Sequence, residues 1–179
     1  MTTESDTTDA ANPCRRLTDF DDEHQDRWAI VDDGVMGGRS SGAIGIADSI
    51  MRFSGTIVTD GGGFTSVRCR LDGAEMAGTT RMSMRVRADD RVYGVTLEDD
   101  AEVGERSVSH RADLDMTGDV DADGWTVTSI DYAQLSPSVF GRAVDAPPFD
   151  PDAAREIGII IADGVDGGFS LDIDWVDVC

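Results

Sequence analysis

Apolar and polar residues alternate along most of this chain, beginning at Leu17. In the segment RMSMRVRA, Met82, Met84 and Val86 fall on one face, and arginine or serine falls on the other. Alternation with a period of two residues predicts antiparallel strands that are buried on one face only. The same rule groups residues on one face of each of four further strands: Tyr93, Val95 and Leu97; Arg106, Val108, His110, Ala112 and Leu114; Ile157, Ile159 and Ile161; and Phe169, Leu171, Ile173 and Trp175, of which the last set is predicted to point inward.

Turn-forming residues separate these segments, as in DGGG, ADD, DADG and ADGVDGG. The segment FDPDAARE predicts one short helical turn, with Asp150 as its cap and Pro151 as its first residue. Helical periodicity is otherwise scarce. We therefore predict an all-β protein, an antiparallel β-sandwich or jelly roll, with a single domain over residues 15–179 and a disordered acidic tail over residues 1–14.

The charge of the chain restricts its partners and its surroundings. The 179 residues include 36 acidic and 15 basic residues, all of the latter arginine, for a net charge of −21. Such a charge opposes nucleic acid and anionic membranes as partners, because both are polyanions. Repulsion among the acidic side chains destabilises the folded state, and molar salt screens this repulsion. We therefore expect a high-salt cytoplasm. The alternative is an acidic protein from a GC-rich genome.

The N-terminal residues and the cysteines indicate the compartment. The chain shows neither the basic and apolar regions of a signal peptide nor an apolar run that could span a membrane, so we expect a cytoplasmic protein. Cys14, Cys69 and Cys179 are odd in number and far apart. They predict free thiols in a reducing compartment rather than a disulfide or a zinc site. Cys69 shares the parity of Val67 and Leu71, so we expect it to be buried and unreactive.

The glycine-rich segment VDDGVMGGRSSG, from Val31 to Gly42, invites comparison with phosphate-binding loops. It lacks the lysine of a Walker loop and the spacing of a dinucleotide loop, and its adjacent aspartates would repel a phosphate. A structural role is the alternative, because glycines allow unusual backbone angles or close approach. In that case Gly34, Gly37 and Gly38 form turns, Val35 and Met36 form a buried plug, and Asp33, Arg39 and Ser40 form an exposed candidate contact surface.

The longer segment WAIVDDGVMGGRSSG resembles the signature of the complex I intermediate-associated protein 30 family, in which a Trp precedes Asn-Asp-Gly-Val-Met-Gly-Gly and a Ser. Further similarity lies in FSGTIVTDGGGFTSVR, which contains Gly61, Gly62 and Gly63, in MRVRADDRVYGVTL, and in the closing segment that ends at the Asp-Trp pair containing Trp175. Asp32 and Asp60 stand where the family usually has Asn.

The resemblance implies a galactose-binding-like jelly roll without known catalytic activity. Mitochondrial relatives hold an assembly intermediate of respiratory complex I. It also implies a protein partner, such as a subunit of a respiratory complex. No spacing of acids, histidines or cysteines in this chain picks out a catalytic pair, so we expect no enzyme.

A carbohydrate-binding module is the alternative function. Arg68, Arg85, Arg87 and Tyr93 are expected to share one sheet face, where planar donors and an aromatic ring could bind a sugar or a partner segment. Phe64, which follows the three glycines, is a further candidate binding residue. The other interpretation of these arginines is that each pairs with a neighbouring acid.

Two acidic groups are candidate calcium sites, because calcium prefers clustered oxygen ligands. DVDADGW, which starts at Asp119, fits the beginning of a calcium loop but has Ile130 where the last ligand should stand. An acidic hairpin turn is the alternative. A structural calcium of the kind found in jelly rolls would use carboxylates among Asp19, Asp21, Asp172 and Asp174, and the alternative is that these acids are solvated. No other cofactor is expected.

Overall fold

Two antiparallel sheets form a sandwich. The computed structural model describes residues 14–21, 27–72 and 74–179, without the side chain of Val35. One sheet has six strands: β1 (Arg15–Thr18), β3 (Ser41–Ala47), β4 (Ile50–Ile57), β6 (Arg81–Ala88), β9 (Thr126–Asp131) and β13 (Gly167–Val178). The other sheet has seven strands: β2 (Trp28–Asp32), β5 (Thr65–Arg70), β7 (Tyr93–Val103), β8 (Arg106–Asp113), β10 (Ser136–Val139), β11 (Arg142–Ala143) and β12 (Glu156–Ile161).

The order of the strands mixes distant parts of the sequence. The six-stranded sheet runs β3-β4-β13-β6-β9, with β1 beside β13, and the seven-stranded sheet runs β11-β10-β8-β7-β12-β5-β2. Helical segments in the described part of the chain are 3-10 turns: Asp33–Met36, Ala74–Met76, Tyr132–Gln134 and Pro151–Ala153. The prediction of an all-β sandwich is therefore confirmed. Within the described residues, no helix is both long and apolar enough to cross a membrane.

Alternation correctly predicts most of the core between the sheets. The inward residues of β6, β7 and β12 are all at most 1% exposed: Met82, Met84 and Val86; Tyr93, Val95 and Leu97; Ile157, Ile159 and Ile161. Cys69 is a free, buried thiol, as expected, and burial raises its pKa to about 11. The short turn after Phe149 is also confirmed, because the Asp150 side chain accepts a hydrogen bond from the backbone N–H of Asp152 at 2.9 Å.

The end of β13 departs from the predicted alternation. The register of its pairing with β6 shifts between Ile173 and Trp175, which marks a β-bulge. Beyond the bulge, Val176 and Val178 are fully buried, whereas Trp175 is only partly buried, and the Arg16 guanidinium lies 4.9 Å from its ring centre. The prediction that Trp175 faces inward is therefore wrong, because the extra residue reverses which side chains face the core.

Cys14 and Cys179 form a disulfide, so the prediction of free thiols is wrong for both. The physical reason is the pairing of β1 with the end of β13, in which Arg15 lies opposite Val178. This pairing brings together cysteines that are 165 residues apart in the sequence. The cysteines therefore give no support to a reducing compartment. Cys14 is tied to the sandwich, and the rest of the predicted tail, residues 1–13, lies outside the described residues.

Candidate functional site

The carboxylate of Asp33 lies at the centre of the glycine-rich loop. It is fully buried and accepts hydrogen bonds from Ser40 N at 3.0 Å, Ser40 Oγ at 2.7 Å, Gly63 N at 2.6 Å and Phe64 N at 3.3 Å. Burial alone would raise the pKa of Asp33, but these hydrogen bonds outweigh it and hold the pKa below its usual range. The loop thus surrounds an anion that the chain itself supplies.

Glycines around this carboxylate are needed for two different reasons. Gly37 follows the 3-10 turn with a φ of +87°, in the left-handed region that favours glycine. A Cβ atom at Gly38 or Gly62 would instead overlap the side chain of Asp33. The two glycine-rich segments therefore close around one carboxylate.

The predicted contact surface on this loop needs correction. Asp33 and Ser40 are buried rather than exposed, because they bond to each other inside the loop. Arg39 is exposed, and its guanidinium donates to Asp60 Oδ2 at 2.7 Å. Met36 is 58% exposed, so it is not a buried plug. The side chain of Val35 lies outside the described part of the chain.

A groove of about 660 Å³ crosses the outer face of the seven-stranded sheet, and we call it the sheet groove. Its floor follows from the alternation of β7 and β8, which point apolar residues into the core and polar residues outward, together with Ser138 of β10. The outward residues include Thr96, Ser107, Ser109 and Ser138, all of which line the groove. The floor therefore carries a row of hydroxyl groups.

Apolar side chains line the sheet groove at both of its edges. Met36 and Phe64 lie beside β2 and β5 at one edge of the sheet, and Val139 and Phe140 lie at the end of β10 near the other edge. Phe140 is 74% exposed, an unusual exposure for so large an apolar side chain. The groove thus combines a polar floor with apolar edges.

Charged groups of both signs complete the lining: Arg68, Arg106, Arg111, Glu98 and Glu105. Arg68 donates to Glu156 Oε1 at 3.1 Å, and Arg111 lies 3.4 Å from Asp113 Oδ1. Burial and the neighbouring Glu156 raise the pKa of Glu98. Arginines outnumber glutamates in this lining, although acids outnumber arginines 36 to 15 in the whole chain. The groove is therefore less acidic than the chain as a whole.

The structure divides the residues that we expected to share one sheet face. Arg68 lies on β5 in the seven-stranded sheet, whereas Arg85 and Arg87 lie on β6 in the six-stranded sheet. Tyr93 points into the core, where its hydroxyl donates to Asp89 Oδ1 at 2.8 Å and burial raises its pKa. That prediction is wrong. Of the candidate binding residues, Phe64 and Arg68 line the sheet groove.

On the six-stranded sheet, arginines pair with acids, as the other interpretation holds. Asp172 is 4% exposed and accepts from Arg52 Nε at 2.7 Å and from Arg87 Nη2 at 2.7 Å. These bonds hold the pKa of Asp172 below its usual range, although burial opposes them. Arg85 donates to Asp174 Oδ2 at 2.6 Å. These arginines are therefore occupied by the chain's own carboxylates.

Neither candidate calcium site is assembled in the described residues, which bring together no group of three His, Cys, Asp or Glu side chains able to hold a metal ion. Of the expected ligands, Asp172 and Asp174 are bonded to arginines. In DVDADGW, Asp121 accepts hydrogen bonds from the backbone N–H groups of Asp123 at 3.0 Å and Trp125 at 2.9 Å, as in an acidic turn.

Most residues of the groove, including Arg106 and Phe140, are not among the candidate binding residues of the sequence analysis. Phe140 and Gly141 lie between two short runs of strand residues, so their number and position fit the loop of a two-residue hairpin. Ordinary hairpin rules expect Asn or Asp at the first position, so the segment SVFGR carried no recognised turn signal.

A family model places the chain among known proteins. The model for complex I intermediate-associated protein 30 matches residues 18–173. The chain belongs to that family. No curated protein matches the chain by sequence.

Solved structures with a similar fold support the sandwich. A family 11 carbohydrate-binding module of a cellulosomal cellulase from Clostridium thermocellum has a TM-score of 0.66 and 16% identity, covering 94% of this chain and 95% of the module. The family 11 module from Clostridium thermocellum in complex with a β-1,3-1,4-mixed-linked tetrasaccharide has a TM-score of 0.60 and 16% identity, covering 92% and 94%. An agarase has a TM-score of 0.55 and 11% identity, covering 93% of this chain and 24% of the enzyme. At these identities the likeness concerns the fold alone.

Proposed function

We propose that this member of the complex I intermediate-associated protein 30 family is a non-catalytic binding module that holds a protein partner, an assembly intermediate of respiratory complex I, in the sheet groove. The observation that carries the proposal is the groove of about 660 Å³ on the outer face of the seven-stranded sheet. Its arginines, methionine and phenylalanines are residue types that are enriched in protein interfaces, and its serine hydroxyls can donate or accept hydrogen bonds.

The charge of the groove favours a partner segment that carries carboxylates. Arg106 and Arg111 lie on β8 and line one part of the groove, while most of the chain's charge elsewhere is negative. Guanidinium groups bind carboxylates through paired hydrogen bonds. A partner that offers acids to the floor and apolar side chains to Phe64 and Phe140 would complement both features.

A carbohydrate is the second candidate, because solved carbohydrate-binding modules have a similar fold. Tyrosine and tryptophan combine an apolar ring with a polar group, which suits the mixed surface of a sugar. In this chain they all lie outside the groove: Trp28, Tyr93 and Tyr132 are buried, and Trp125 and Trp175 lie beside arginines of the six-stranded sheet. The aromatic residues of the groove are Phe64 and Phe140, so a protein partner is favoured.

Site-specific photo-crosslinking tests the proposal. A benzophenone amino acid replaces Ser109 on the floor of the groove, and a matched variant carries it at Ser83, an outward serine of the opposite sheet. Both proteins are illuminated in molar KCl with detergent extracts of membranes that contain respiratory complex I, and crosslinked proteins are identified by mass spectrometry. We expect complex I subunits to be crosslinked from position 109 and not from position 83.

Two results would overturn the proposal. One is crosslinking of complex I subunits from position 83 alone or equally from both positions. The other is binding of a β-1,3-1,4-mixed-linked glucan in affinity electrophoresis that disappears when Arg68 is replaced by Gln. The second result would assign the groove to a carbohydrate.

A further inference from the structure

Phe140 is held in a strained backbone conformation beside the sheet groove. Ser138 pairs with Ala143 and Val139 pairs with Arg142, so Phe140 and Gly141 form a two-residue hairpin loop. Both have positive φ, 50° for Phe140 and 72° for Gly141, the pattern of a type I′ turn. That turn favours Asn, Asp or Gly at both positions, whereas a bulky aromatic residue there is strained.

The strained backbone conformation does not bury the aromatic ring of Phe140. Phe140 is 74% exposed and lines the groove, so its side chain contributes little apolar packing to the fold. A residue that is both strained and exposed is destabilising on two counts, and such residues concentrate at binding sites and switch regions. An exposed aromatic ring at the groove edge can bury its apolar surface against a partner.

Arg106 provides a charged group next to this ring. Its guanidinium carbon lies 4.8 Å from the centre of the Phe140 ring, a cation–π contact that holds the planar group beside the groove. In the part of the chain that the structure describes, Arg106 has no ion pair or hydrogen bond to an acid, although Glu105 and Glu98 line the same groove. Stacking occupies the face of a guanidinium and leaves the N–H groups at its edge free to bind a carboxylate.

The other arginines of the groove differ from Arg106. Arg68 is held by Glu156 at 3.1 Å and lies 3.9 Å from Glu98, and Arg111 lies 3.4 Å from Asp113. Among the arginines of the groove, Arg106 is therefore the one whose guanidinium has no acidic partner in the described residues and can bind a carboxylate of another protein.

We propose that Phe140 and Arg106 form the docking anchor of the sheet groove, and that the anchor binds an extended segment of a partner protein in which an Asp or Glu side chain neighbours a large apolar one. The carboxylate binds the edge of the Arg106 guanidinium, and the apolar side chain packs on Phe140. This inference rests on the proposed function, because it takes the groove as the binding surface.

Selection from a peptide library tests the chemistry of the partner. The whole protein is used in molar KCl to select binders from a display library of random dodecapeptides. We expect the enriched peptides to share an acidic residue next to Leu, Ile, Met or an aromatic residue. Enrichment of basic peptides, or no enrichment, would overturn the inference.

Three variants then test the anchor with the best selected peptide. Phe140→Asn removes the aromatic ring but suits the turn, and Arg106→Gln removes the positive charge. Arg142→Gln is the matched control, because Arg142 lies next to the turn but does not line the groove. We expect Phe140→Asn to weaken binding at least about tenfold while the Tm stays the same or rises, because Asn tolerates positive φ. Arg142→Gln should leave binding unchanged.

A double-mutant cycle distinguishes loss of the ion pair between Arg106 and the peptide carboxylate from a nonspecific loss of binding. Arg106→Gln should weaken binding of the acidic peptide but have little effect on the peptide in which Gln replaces the acid. If Phe140→Asn and Arg106→Gln bind as the wild type does while the peptide still crosslinks to position 109, the anchor is wrong and the groove function stands. If the peptide crosslinks instead to position 83, both are wrong.

Discussion

Asp33 explains the composition of the glycine-rich loop. Its buried carboxylate needs several donors, and Ser40, Gly63 and Phe64 supply them from two segments. Side chains at Gly38 and Gly62 would occupy the space of that carboxylate. Sequence alone identified the glycines but placed Asp33 at the surface, because aspartates are usually exposed and the donors come from a second loop.

Gly37 gives a prediction at the residue scale. Its φ of +87° lies in the left-handed region, and there is open space where a Cβ would stand, so the backbone alone decides the outcome. We expect Gly37→Val to destabilise the fold by about 1–2 kcal/mol or more, since a β-branched residue is strained there. Gly37→Asn should be much milder, because Asn tolerates this region. Thermal unfolding of both variants measures the difference, and equal Tm values for the wild type and the Val variant would contradict it.

Among the elements, β13 shows where alternation fails. The rule places Phe169, Leu171 and Ile173 correctly, because each pairs in a regular ladder. It fails at Trp175 because a bulge adds one residue, and period-two patterns carry no sign of such an insertion. The Arg16 contact that accommodates the outward ring comes from a strand distant in the sequence.

A buried histidine on β8 gives a prediction at this scale. His110 is fully buried, its Nε2 lies 3.5 Å from Asp99 Oδ1, and its nitrogens have no hydrogen-bond partner in the described residues. Burial lowers the pKa of His110, and the nearby Asp99 only partly opposes this. The unfolded chain therefore takes up a proton near pH 6.5, where the folded protein does not. Stability should fall as the pH drops from about 7 through the lowered pKa of the folded state.

Urea unfolding between about pH 7.5 and 5.5 measures this effect. His110→Leu keeps the site apolar and leaves Asp99 bonded to the backbone N–H groups of Ala101 and Asp150. Its free energy of unfolding should change less with pH over this range than that of the wild type. The same pH dependence in both proteins would show that His110 is not responsible.

For the whole molecule, the sequence predicts the fold better than the site. The alternation of apolar and polar residues within each strand indicates which side chains point inward, and this alternation is enough to predict most of the core of the sandwich. The sheet groove has no local signal, since Phe64, Thr96, Ser109 and Phe140 come from separate parts of the chain. Only the order of β5, β7, β8 and β10 in the sheet brings them together.

The net charge of −21 predicts salt-dependent folding. Ion pairs such as those of Asp172 use many of the arginines, so most remaining acids repel one another at the surface. We expect the Tm to rise strongly between dilute buffer and molar KCl, because a Debye length of about 3 Å at 1 M removes most of that repulsion. Circular dichroism at several KCl concentrations checks this. An unchanged melting curve would remove the basis for expecting a high-salt compartment.

The disulfide gives a second prediction at this scale. It closes a loop with a sequence separation of 165 residues. The loss of chain entropy in the unfolded state implies stabilisation of about 3–5 kcal/mol for a loop of this size. Cys14→Ser with Cys179→Ser, or reduction of the wild type, should lower the urea midpoint accordingly. Reductant should not affect the double variant, and an equal midpoint for reduced and oxidised wild type would contradict the prediction.

The same bond decides how the molecule responds to a mechanical load. A force applied at residues 14 and 179 would otherwise pull β1 from the end of β13 one hydrogen bond at a time, since the two strands are antiparallel and their paired ends carry the cysteines. With the disulfide in place, the tension passes through the covalent bond and the strand pairs bear none of it. The groove on the opposite sheet therefore keeps its shape while the protein is pulled at these two points.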